Sequence, residues 1–283
     1  MNTFGIGRVL SPEEALDKRR QLIEDGFCIV PNILHGEMFD RLAAFVHRFL
    51  DEHPVDPKYR YQGSDFHIMT ERDWAKSRDP HRYHSPVVDD LIDWAPARQA
   101  CAEIGLEGLR PGASCILLNK PPGGPPLYWH QDDMQWNHPK AALPWPTQIF
   151  LSYYLVDLTR ENGGLRVIPG THRKRIPLHD ILPPAHGPEI QALEPPHPVF
   201  QEHPDEVDVP AKAGDLVIAD ARVLHAAWPN RTSERRPLVL MWWSCFPFPS
   251  VPSWWEDEIP EEIHADPNGD YPPTRVPGKY LRS

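Results

Sequence analysis

Residues 148–172 read QIFLSYYLVDLTRENGGLRVIPGTH, and they determine the architecture expected for the whole chain. Gln148–Val156 and Leu165–Ile168 are rich in β-branched, aromatic and other large apolar residues. Turn-forming residues follow each run, at Asn162–Gly164 and at Pro169-Gly170. Such runs, closely spaced and bounded by turns, predict consecutive β-strands.

Similar runs lie on both sides of this stretch, at Ala113–Leu118, Leu216–Ala219 and Leu238–Phe246, and the short apolar run Phe27–Val30, closed by Pro31, is a further predicted strand. Few helical patterns separate them, which disfavours a parallel βαβ sheet and favours an antiparallel jelly roll, or double-stranded β-helix. We expect this core to occupy residues 111–250. A segment rich in proline and histidine, at about residues 176–206, is expected to be an insertion over the mouth of the barrel.

Residues 10–110 are expected to be mainly helical and to pack on one face of the jelly roll. Ser11-Pro12-Glu13-Glu14 supplies a capping serine, a proline at the first helical position and a glutamate three residues after the cap, so a helix should start here and end at Gly26. Apolar residues at three- and four-residue spacing between Met38 and Leu50 predict a second helix. A third is expected from Ser85 to about Gly105.

Length and composition limit the class of protein. The 283 residues favour a single domain, because barrels with added helices commonly reach this size. The four cysteines are scattered without a CxxC pair, which predicts buried free thiols in the cytoplasm. Residues 1–10 lack the apolar core of a secretory signal, and no apolar run is long enough to span a membrane. The net charge of −11 argues against a nucleic-acid partner and favours a neutral or cationic substrate.

Three His-x-Asp motifs are candidates for a metal site, beginning at His130, His203 and His264. Alternate residues of a strand point to the same side, so such a pair can supply two ligands to one ion. In the second motif Pro204 removes a backbone donor from any strand, and no histidine follows the third motif. These two motifs are therefore expected to be chance matches.

The first motif, His130-Gln131-Asp132, follows the aromatic pair Tyr128-Trp129 and precedes a long β-rich region. That region contains His225, just after the predicted strand Leu216–Ala219. Two imidazoles and one carboxylate on one face of Fe(II) leave the opposite face open for other ligands. His130, Asp132 and His225 are thus the candidate metal ligands and catalytic residues.

Several motifs together resemble the phytanoyl-CoA dioxygenase family. They are Asp25–Asn32, Leu118–Pro122, His130-x-Asp132, Glu161–His172, Gly214-Asp215 and His225, and the similarity extends from about residue 13 to residue 246. It implies an Fe(II)- and 2-oxoglutarate-dependent dioxygenase that uses O₂ to hydroxylate an unactivated C–H of a small metabolite, releasing succinate and CO₂. Desaturation, epimerisation and ring formation stay open as alternative outcomes.

The resemblance also implies how the cosubstrate is bound. Arg236 lies eleven residues after His225 and would pair with the distal carboxylate of 2-oxoglutarate, for which a planar guanidinium is well suited. Asn119 aligns approximately with a position that touches the cosubstrate in some members, and a turn residue at the end of a strand, before Lys120-Pro121, is the alternative. Ser152 and Ala227 stand where many members have tryptophan and serine. The remaining contacts to 2-oxoglutarate therefore stay open.

Four residues near the ligands in sequence are candidate substrate contacts. Trp136 and Trp228 are candidates for lining the cavity, and Asp133 and Arg222 for orienting a charged substrate. Core packing or a structural ion pair is the alternative for each.

Two other functions stay open, namely a cupin-type metal enzyme that is not an oxygenase and a catalytically silent binding protein of the same fold. The identity of the substrate and the oligomeric state are not predicted.

Overall fold

The computed structural model describes residues 7–70, 82–132 and 135–283. Eleven strands lie within these ranges: β1 (Phe27–Val30), β2 (Asp65–Thr70), β3 (Arg82–His84), β4 (Arg110–Lys120), β5 (Leu127–His130), β6 (Gln148–Tyr154), β7 (Leu165–Val167), β8 (Val207–Asp208), β9 (Leu216–Asp220), β10 (His225–Ala227) and β11 (Arg236–Ser244). They form two sheets that face each other, and the predicted jelly roll is confirmed.

The large sheet has the order β1-β9-β6-β11-β4-β2-β3, and the small sheet has the order β5-β10-β7-β8. Neighbouring strands are antiparallel except for β2 and β3, which are parallel. Phe150 and Leu240 of the large sheet pack with Leu165 and Val167 of the small sheet. This inner layer encloses the cavity described below.

Five α-helices lie within the described residues: α1 (Pro12–Glu24), α2 (Gly36–Glu52), α3 (Pro86–Ile92), α4 (Ala95–Ile104) and α5 (Pro188–Gln191). The first four share a core with the outer face of the large sheet, as in the packing of Leu22 and Leu42 with Leu151 and Met241. The predicted position of these helices on one face is confirmed. No helix in the described part of the chain is long and apolar enough to cross a membrane.

The helix expected from Ser85 to about Gly105 is in fact two helices, because Pro96 cannot continue α3. Proline has no N–H, and its ring would clash with the carbonyl four residues earlier, at Ile92. α3 ends at that residue, and α4 begins three residues later with Pro96 in its first turn. Gly105 then ends α4 in the left-handed conformation, with a φ of 104°.

The sequence did not predict five of the strands. β5 and β10 are four and three residues long, which is too short for an alternating pattern to be recognised. β8 is shorter still, and β2 and β3 contain polar residues that hide their β character. β2 and β3 also add two strands to a part of the chain expected to be mainly helical.

Residues 176–206 pack mainly on the outer face of the small sheet, where Ile190 and Val199 lie in one cluster with Trp129 and Leu224. His186 is the residue of this segment that reaches the cavity between the sheets. The C-terminal segment after β11 also approaches the cavity. There Thr274 forms a β-bridge with Gln135, which lines the cavity.

Gly26 joins α1 to β1 in the left-handed conformation, with a φ of 87°. A Cβ atom at this position would lie 2.7 Å from Nδ1 of His172 and 2.9 Å from Cγ2 of Val223. Both side chains are buried. The predicted end of α1 therefore needs glycine for its backbone conformation and for the close approach of these neighbours.

We expect Gly26→Ala to lower the free energy of unfolding by about 2–5 kcal/mol, since the left-handed conformation costs about 1–2 kcal/mol and overpacking about 1–3 kcal/mol. Gly36→Ala is the control, because Gly36 has a φ of 55° but a Cβ atom added there would meet nothing within 4 Å. Chemical denaturation measures both. Equal losses in the two variants would contradict the packing at Gly26.

Candidate metal centre

The pairing of β5 with β10 brings the predicted metal ligands together. His130 ends β5 and His225 begins β10, and the two are direct partners in the antiparallel pair. Asp132 follows two residues after His130, and its backbone N–H donates to the carbonyl of Ala221 at 2.8 Å. Strand register therefore positions both histidines. Asp132 was expected on the same strand as His130, but β5 ends at His130 and Asp132 lies in the turn that follows, where this backbone hydrogen bond holds it.

The three side chains converge closely enough to bind one ion. Nε2 of His130 lies 3.6 Å from Oδ1 of Asp132, and Nε2 of His225 lies 3.8 Å from Oδ2. One ligand atom from each residue lies within 4.8 Å of the others. Because metal–nitrogen and metal–oxygen bonds are about 2.0–2.2 Å long, ligand atoms of one ion lie up to about 4 Å apart.

Each histidine is oriented by its own strand. Nδ1 of His130 lies 2.9 Å from the carbonyl of Tyr128, and Nδ1 of His225 lies 3.1 Å from the carbonyl of Val223. A carbonyl can only accept, so Nδ1 carries the proton and Nε2 presents its lone pair to the ion. Burial, and then the charges of His225 and His186, lower the pKa of His130 well below its ordinary value, which favours the neutral form that binds metal.

The carboxylate of Asp132 is held by a tryptophan from the opposite sheet. Nε1 of Trp242 donates to Oδ2 of Asp132 at 2.8 Å. Burial opposes ionisation of this carboxyl, but the nearby histidines, His225 above all, hold the pKa of Asp132 below its usual range. Asp132 is therefore available as an anionic ligand with a fixed orientation.

The three residues open into a cavity of about 640 Å³ between the two sheets. Its walls are largely apolar and include Phe150 and Leu240 of the large sheet and Leu165 of the small sheet. The ring of Phe150 lies 4.9 Å from that of His225, centroid to centroid. The metal centre thus faces a mostly apolar chamber of the size that small-molecule ligands occupy in proteins.

Arg236 and Lys120 lie together at one end of this cavity, as partners across β11 and β4. Arg236 donates from Nη2 to the carbonyl of Gly163 at 3.0 Å, while its buried Nε has no hydrogen-bond partner. Lys120 donates from Nζ to the carbonyls of Trp228 at 2.7 Å and of Pro125 at 2.9 Å. Among the described residues, neither cation has a carboxylate within ion-pair distance.

Burial lowers the pKa of both groups, and for Lys120 the charge of Arg236 lowers the pKa further. Two desolvated cations beside each other repel, and a buried donor without a partner costs about 1–3 kcal/mol. A bound carboxylate would satisfy Nε of Arg236 and neutralise the pair. This end of the cavity therefore fits an anionic ligand.

The structure places two of the sequence-predicted contacts outside the cavity. Leu118 and Lys120 face the cavity from β4, so Asn119 between them points to the opposite face, where it donates to Oδ2 of Asp65 at 2.7 Å. Trp228 likewise follows the cavity-lining Ala227 and donates to Asp208 at 2.7 Å. Asn119 is therefore not placed to touch a cosubstrate, and Trp228 is not placed to touch a substrate.

Two more of these candidates are structural. Trp136 is fully buried and packs against Tyr280 and Leu281 of the C-terminal segment. Arg222 is 1% exposed and binds both carboxylate oxygens of Asp220, at 2.9 and 2.6 Å. Its Nη1 also donates to the carbonyls of residues 141 and 143, each at 2.9 Å. Asp133, the fourth candidate, lies outside the described residues.

His186 was not among the residues predicted from the sequence, although the insertion that carries it was expected at the barrel mouth. Its Nε2 lies 3.7 Å from Oδ1 of Asp132, and its Nδ1 lies 3.0 Å from the hydroxyl of Tyr128. Lys120 and Trp242 were also missed. The alternation of β4 and β11 is the one sequence signal for these two, whereas His186 depends on a contact between distant segments.

The family model described as phytanoyl-CoA dioxygenase (PhyH) matches residues 22–238 of the chain. An ectoine dioxygenase of Nocardia farcinica (strain IFM 10152) is 29% identical over 233 residues, which cover 77% of this chain and 73% of that protein. A probable alpha-ketoglutarate-dependent hypophosphite dioxygenase of Stutzerimonas stutzeri is 24% identical over 170 residues, which cover 58% of this chain and 54% of that protein.

Solved structures with a similar fold include the non-heme alpha ketoglutarate dependent epimerase SnoN from nogalamycin biosynthesis. Its TM-score is 0.60 at 18% identity, over 83% of this chain and 84% of that chain. EctD from S. alaskensis, solved with 2-oxoglutarate and 5-hydroxyectoine, has a TM-score of 0.55 at 19% identity, over 84% of this chain and 77% of that chain. At these identities the two likenesses establish the fold.

The buried pair of Arg222 and Asp220 leads to a prediction about stability. Arg222→Ala would leave the Asp220 carboxylate buried and unpaired, and removing one partner of such a pair costs about 3–5 kcal/mol. We expect a loss of this size in the free energy of unfolding by urea. Arg175→Ala is the control, because Arg175 pairs with Asp180 at the surface, where an ion pair contributes about 0–1 kcal/mol. Similar losses in both variants would contradict the structural role of Arg222.

Proposed function

The chain belongs to the phytanoyl-CoA dioxygenase family of Fe(II)- and 2-oxoglutarate-dependent dioxygenases, and we propose that His130, Asp132 and His225 hold its iron while Arg236 binds the distal carboxylate of 2-oxoglutarate. The enzyme is a non-haem iron dioxygenase that uses O₂. The reaction that we propose for it is hydroxylation of an unactivated C–H in a small metabolite.

One observation carries this proposal. A set of two histidines and one aspartate opens into a cavity whose end is formed by two buried cations that lack a carboxylate partner among the described residues. When bound, Fe(II) and 2-oxoglutarate supply an oxidation in which O₂ gives one oxygen atom to the substrate and one to succinate, with release of CO₂. The two histidines and the aspartate suit the metal, and the two buried cations suit the doubly charged 2-oxoglutarate.

Strand β6 runs along the cavity from the proposed metal ligands to Arg236. Phe150, Ser152 and Tyr154 all line the cavity, and alternate residues of a strand lie about 6–7 Å apart. Phe150 contacts His225, whereas Tyr154 lies 6.0 Å from the guanidinium of Arg236, measured to its ring centroid. Ser152 lies between them, opposite Leu240 on β11. The small side chain of Ser152 leaves space for a ligand that extends from the metal to Arg236.

The protein's own residues have three tasks in this proposal. The two Nδ1–carbonyl contacts and the Trp242 hydrogen bond hold the ligands in place before the metal binds. The apolar walls keep bulk water away from the position where the iron would be held. Arg236, with Lys120 beside it, orients 2-oxoglutarate by binding the carboxylate that does not react. A bound anion would also favour the charged form of Lys120.

Two alternatives account for fewer of these features. A metal-dependent enzyme of the same fold that is not an oxygenase has no need for Arg236 and Lys120 at the end of the cavity. A silent binding protein has no need for histidines oriented with Nε2 toward an ion. Both would leave the pairing of a metal set with an anion site unexplained.

We further propose that the chain acts as one oxygenase domain in the cytoplasm, on a free small molecule rather than on nucleic acid. Trp254 of the C-terminal segment packs against Trp145 and Arg19, which joins this segment to α1 and to the core that α1 shares with the large sheet. The four cysteines are buried and free, as expected in a reducing compartment. The net charge of −11 supports the exclusion of nucleic acid.

We expect His130→Ala, Asp132→Ala and His225→Ala each to lower Fe(II) affinity by more than about 100-fold, because loss of a residue that only orients a ligand already costs about 10–100-fold. Anaerobic Fe(II) titration measures the affinity, and circular dichroism checks the fold. His203→Ala and Asp266→Ala, from the other two His-x-Asp motifs, are controls that should bind iron like wild type. Wild-type affinity in His225→Ala would refute the ligand set.

Arg236→Ala would leave the distal carboxylate of 2-oxoglutarate without its partner, at a cost of about 2–5 kcal/mol. The affinity for 2-oxoglutarate should therefore fall by about one to three orders of magnitude. The charge-transfer absorbance of the anaerobic Fe(II) protein, titrated with 2-oxoglutarate, measures this loss. Arg236→Lys keeps the charge without the planar fork, so its loss should be partial.

Arg235→Ala is the matched control for Arg236, because Arg235 pairs with Asp51 at the surface of the protein. It should titrate like wild type, and all these variants should still bind Fe(II). A normal titration for Arg236→Ala, or a defect in Arg235→Ala, would show that 2-oxoglutarate binds elsewhere.

A further inference from the structure

A second pair of cations, Lys140 and Arg275, lines the same cavity. Lys140 belongs to the short 3-10 helix Pro139–Ala142, and Arg275 belongs to the C-terminal segment. Both side chains are only partly buried. Within the described part of the chain, neither cation has a carboxylate within ion-pair distance, so both are free to meet an anion.

These two cations lie on the opposite side of the metal from Arg236. Along β6 the cavity-facing residues run from Tyr154, near Arg236, through Phe150, near His225, to Gln148. Gln148 is thus one inward position beyond the metal, about 6–7 Å further along the strand. Lys140 lines the cavity at this end, because the next residue, Ala141, accepts a hydrogen bond from Arg222, and Ala221 beside Arg222 donates to the carbonyl of Gln148.

Arg275 is brought to this end by the C-terminal segment. The β-bridge between Thr274 and Gln135 places Arg275 beside a residue that itself lines the cavity. Arg275 also lines the cavity into which His130, Asp132 and His225 open.

The charge of the cavity is opposite to that of the protein. The chain has a net charge of −11, yet four lysine and arginine side chains line the cavity. Among the described residues that line it, Asp132 is the one carboxylate, and a bound iron ion would neutralise its negative charge. A cationic substrate would face Arg275 and Lys140 without a counter-charge. The expectation of a neutral or cationic substrate, which rested on net charge alone, therefore does not hold for the cavity.

We propose that the primary substrate is an organic anion whose carboxylate or phosphate group is bound by Arg275 and Lys140. Its apolar body would extend along Leu127 and Trp242 toward the iron, on the side away from Arg236. The inference rests on the proposed function, since it names the substrate class of the same site. Arg275 also lies beyond residues 22–238, so this specificity residue belongs to a part of the chain that the family model does not match.

Four probes with the same aromatic body and different charge test the proposal: hydrocinnamate, phenethyl phosphate, hydrocinnamamide and phenethylamine. Their binding is measured by saturation-transfer NMR on the full chain loaded with Zn(II) and 2-oxoglutarate, which cannot turn over. At least one anion should bind about ten- to a hundredfold more tightly than the neutral amide, as expected for hydrogen bonds to a charged group. The stronger of the two anions distinguishes carboxylate from phosphate recognition.

Arg275→Gln and Lys140→Gln should each weaken this preference, and the double variant should abolish it. Lys279→Gln is the matched control, because Lys279 is a cation of the same segment that does not line the cavity. The proposal is overturned if the amide or the amine binds as tightly as the anions. It is also overturned if neither anion binds at millimolar concentration, or if the double variant keeps the preference.

A 2-oxoglutarate titration of each variant separates this proposal from the function on which it rests. Arg275 and Lys140 lie at the far end of the cavity, so 2-oxoglutarate should bind their variants as it binds wild type. Failure of the wild-type protein to bind 2-oxoglutarate would refute the proposed function itself. Normal binding of 2-oxoglutarate without any preference for anionic probes would refute the substrate class alone.

Discussion

The site depends on one antiparallel pairing, in which His130 of β5 lies directly opposite His225 of β10. Side chains of a strand alternate between its faces, so a slip of one residue would turn one histidine away from the cavity. The carbonyls that orient both rings belong to the same two chain segments, two residues earlier in each case. The position and the tautomer of both imidazoles are thus fixed by the same local backbone. The insertion at residues 176–206 covers the outer face of these strands.

Charge is distributed unevenly between the surface and the cavity of this molecule. The surface carries the acidic excess, while the cavity has cations at both ends and one carboxylate among its described lining residues. Buried cations lower stability unless an anion neutralises them. The unpaired Nε of Arg236 and the lowered pKa of Lys120 are consequences of this arrangement. The cavity therefore has features of a site that gives up some stability in order to bind anions.

The proposed metal ligands were predictable because a His-x-Asp pair at the end of a strand and a later histidine form a pattern that is visible in the sequence. Asn119 was predicted from the family resemblance and Trp228 from its closeness to His225 in sequence, and neither signal specifies which face of a strand a side chain occupies. Trp136 and Arg222 lie near the ligands in sequence, yet pack into the C-terminal cluster and onto Asp220. His186 and Arg275 were not predictable, since contacts between distant segments bring them to the cavity.

In the proposed complex, one iron ion binds between the two sheets and 2-oxoglutarate extends from it to Arg236. A crystal structure of the anaerobic Fe(II)–2-oxoglutarate complex, with anomalous data at the iron edge, would locate both. We expect an iron peak bounded by Nε2 of His130, Nε2 of His225 and a carboxylate oxygen of Asp132, with the distal carboxylate on the guanidinium of Arg236. An iron peak away from these atoms, or a cosubstrate directed toward Arg275, would refute this arrangement.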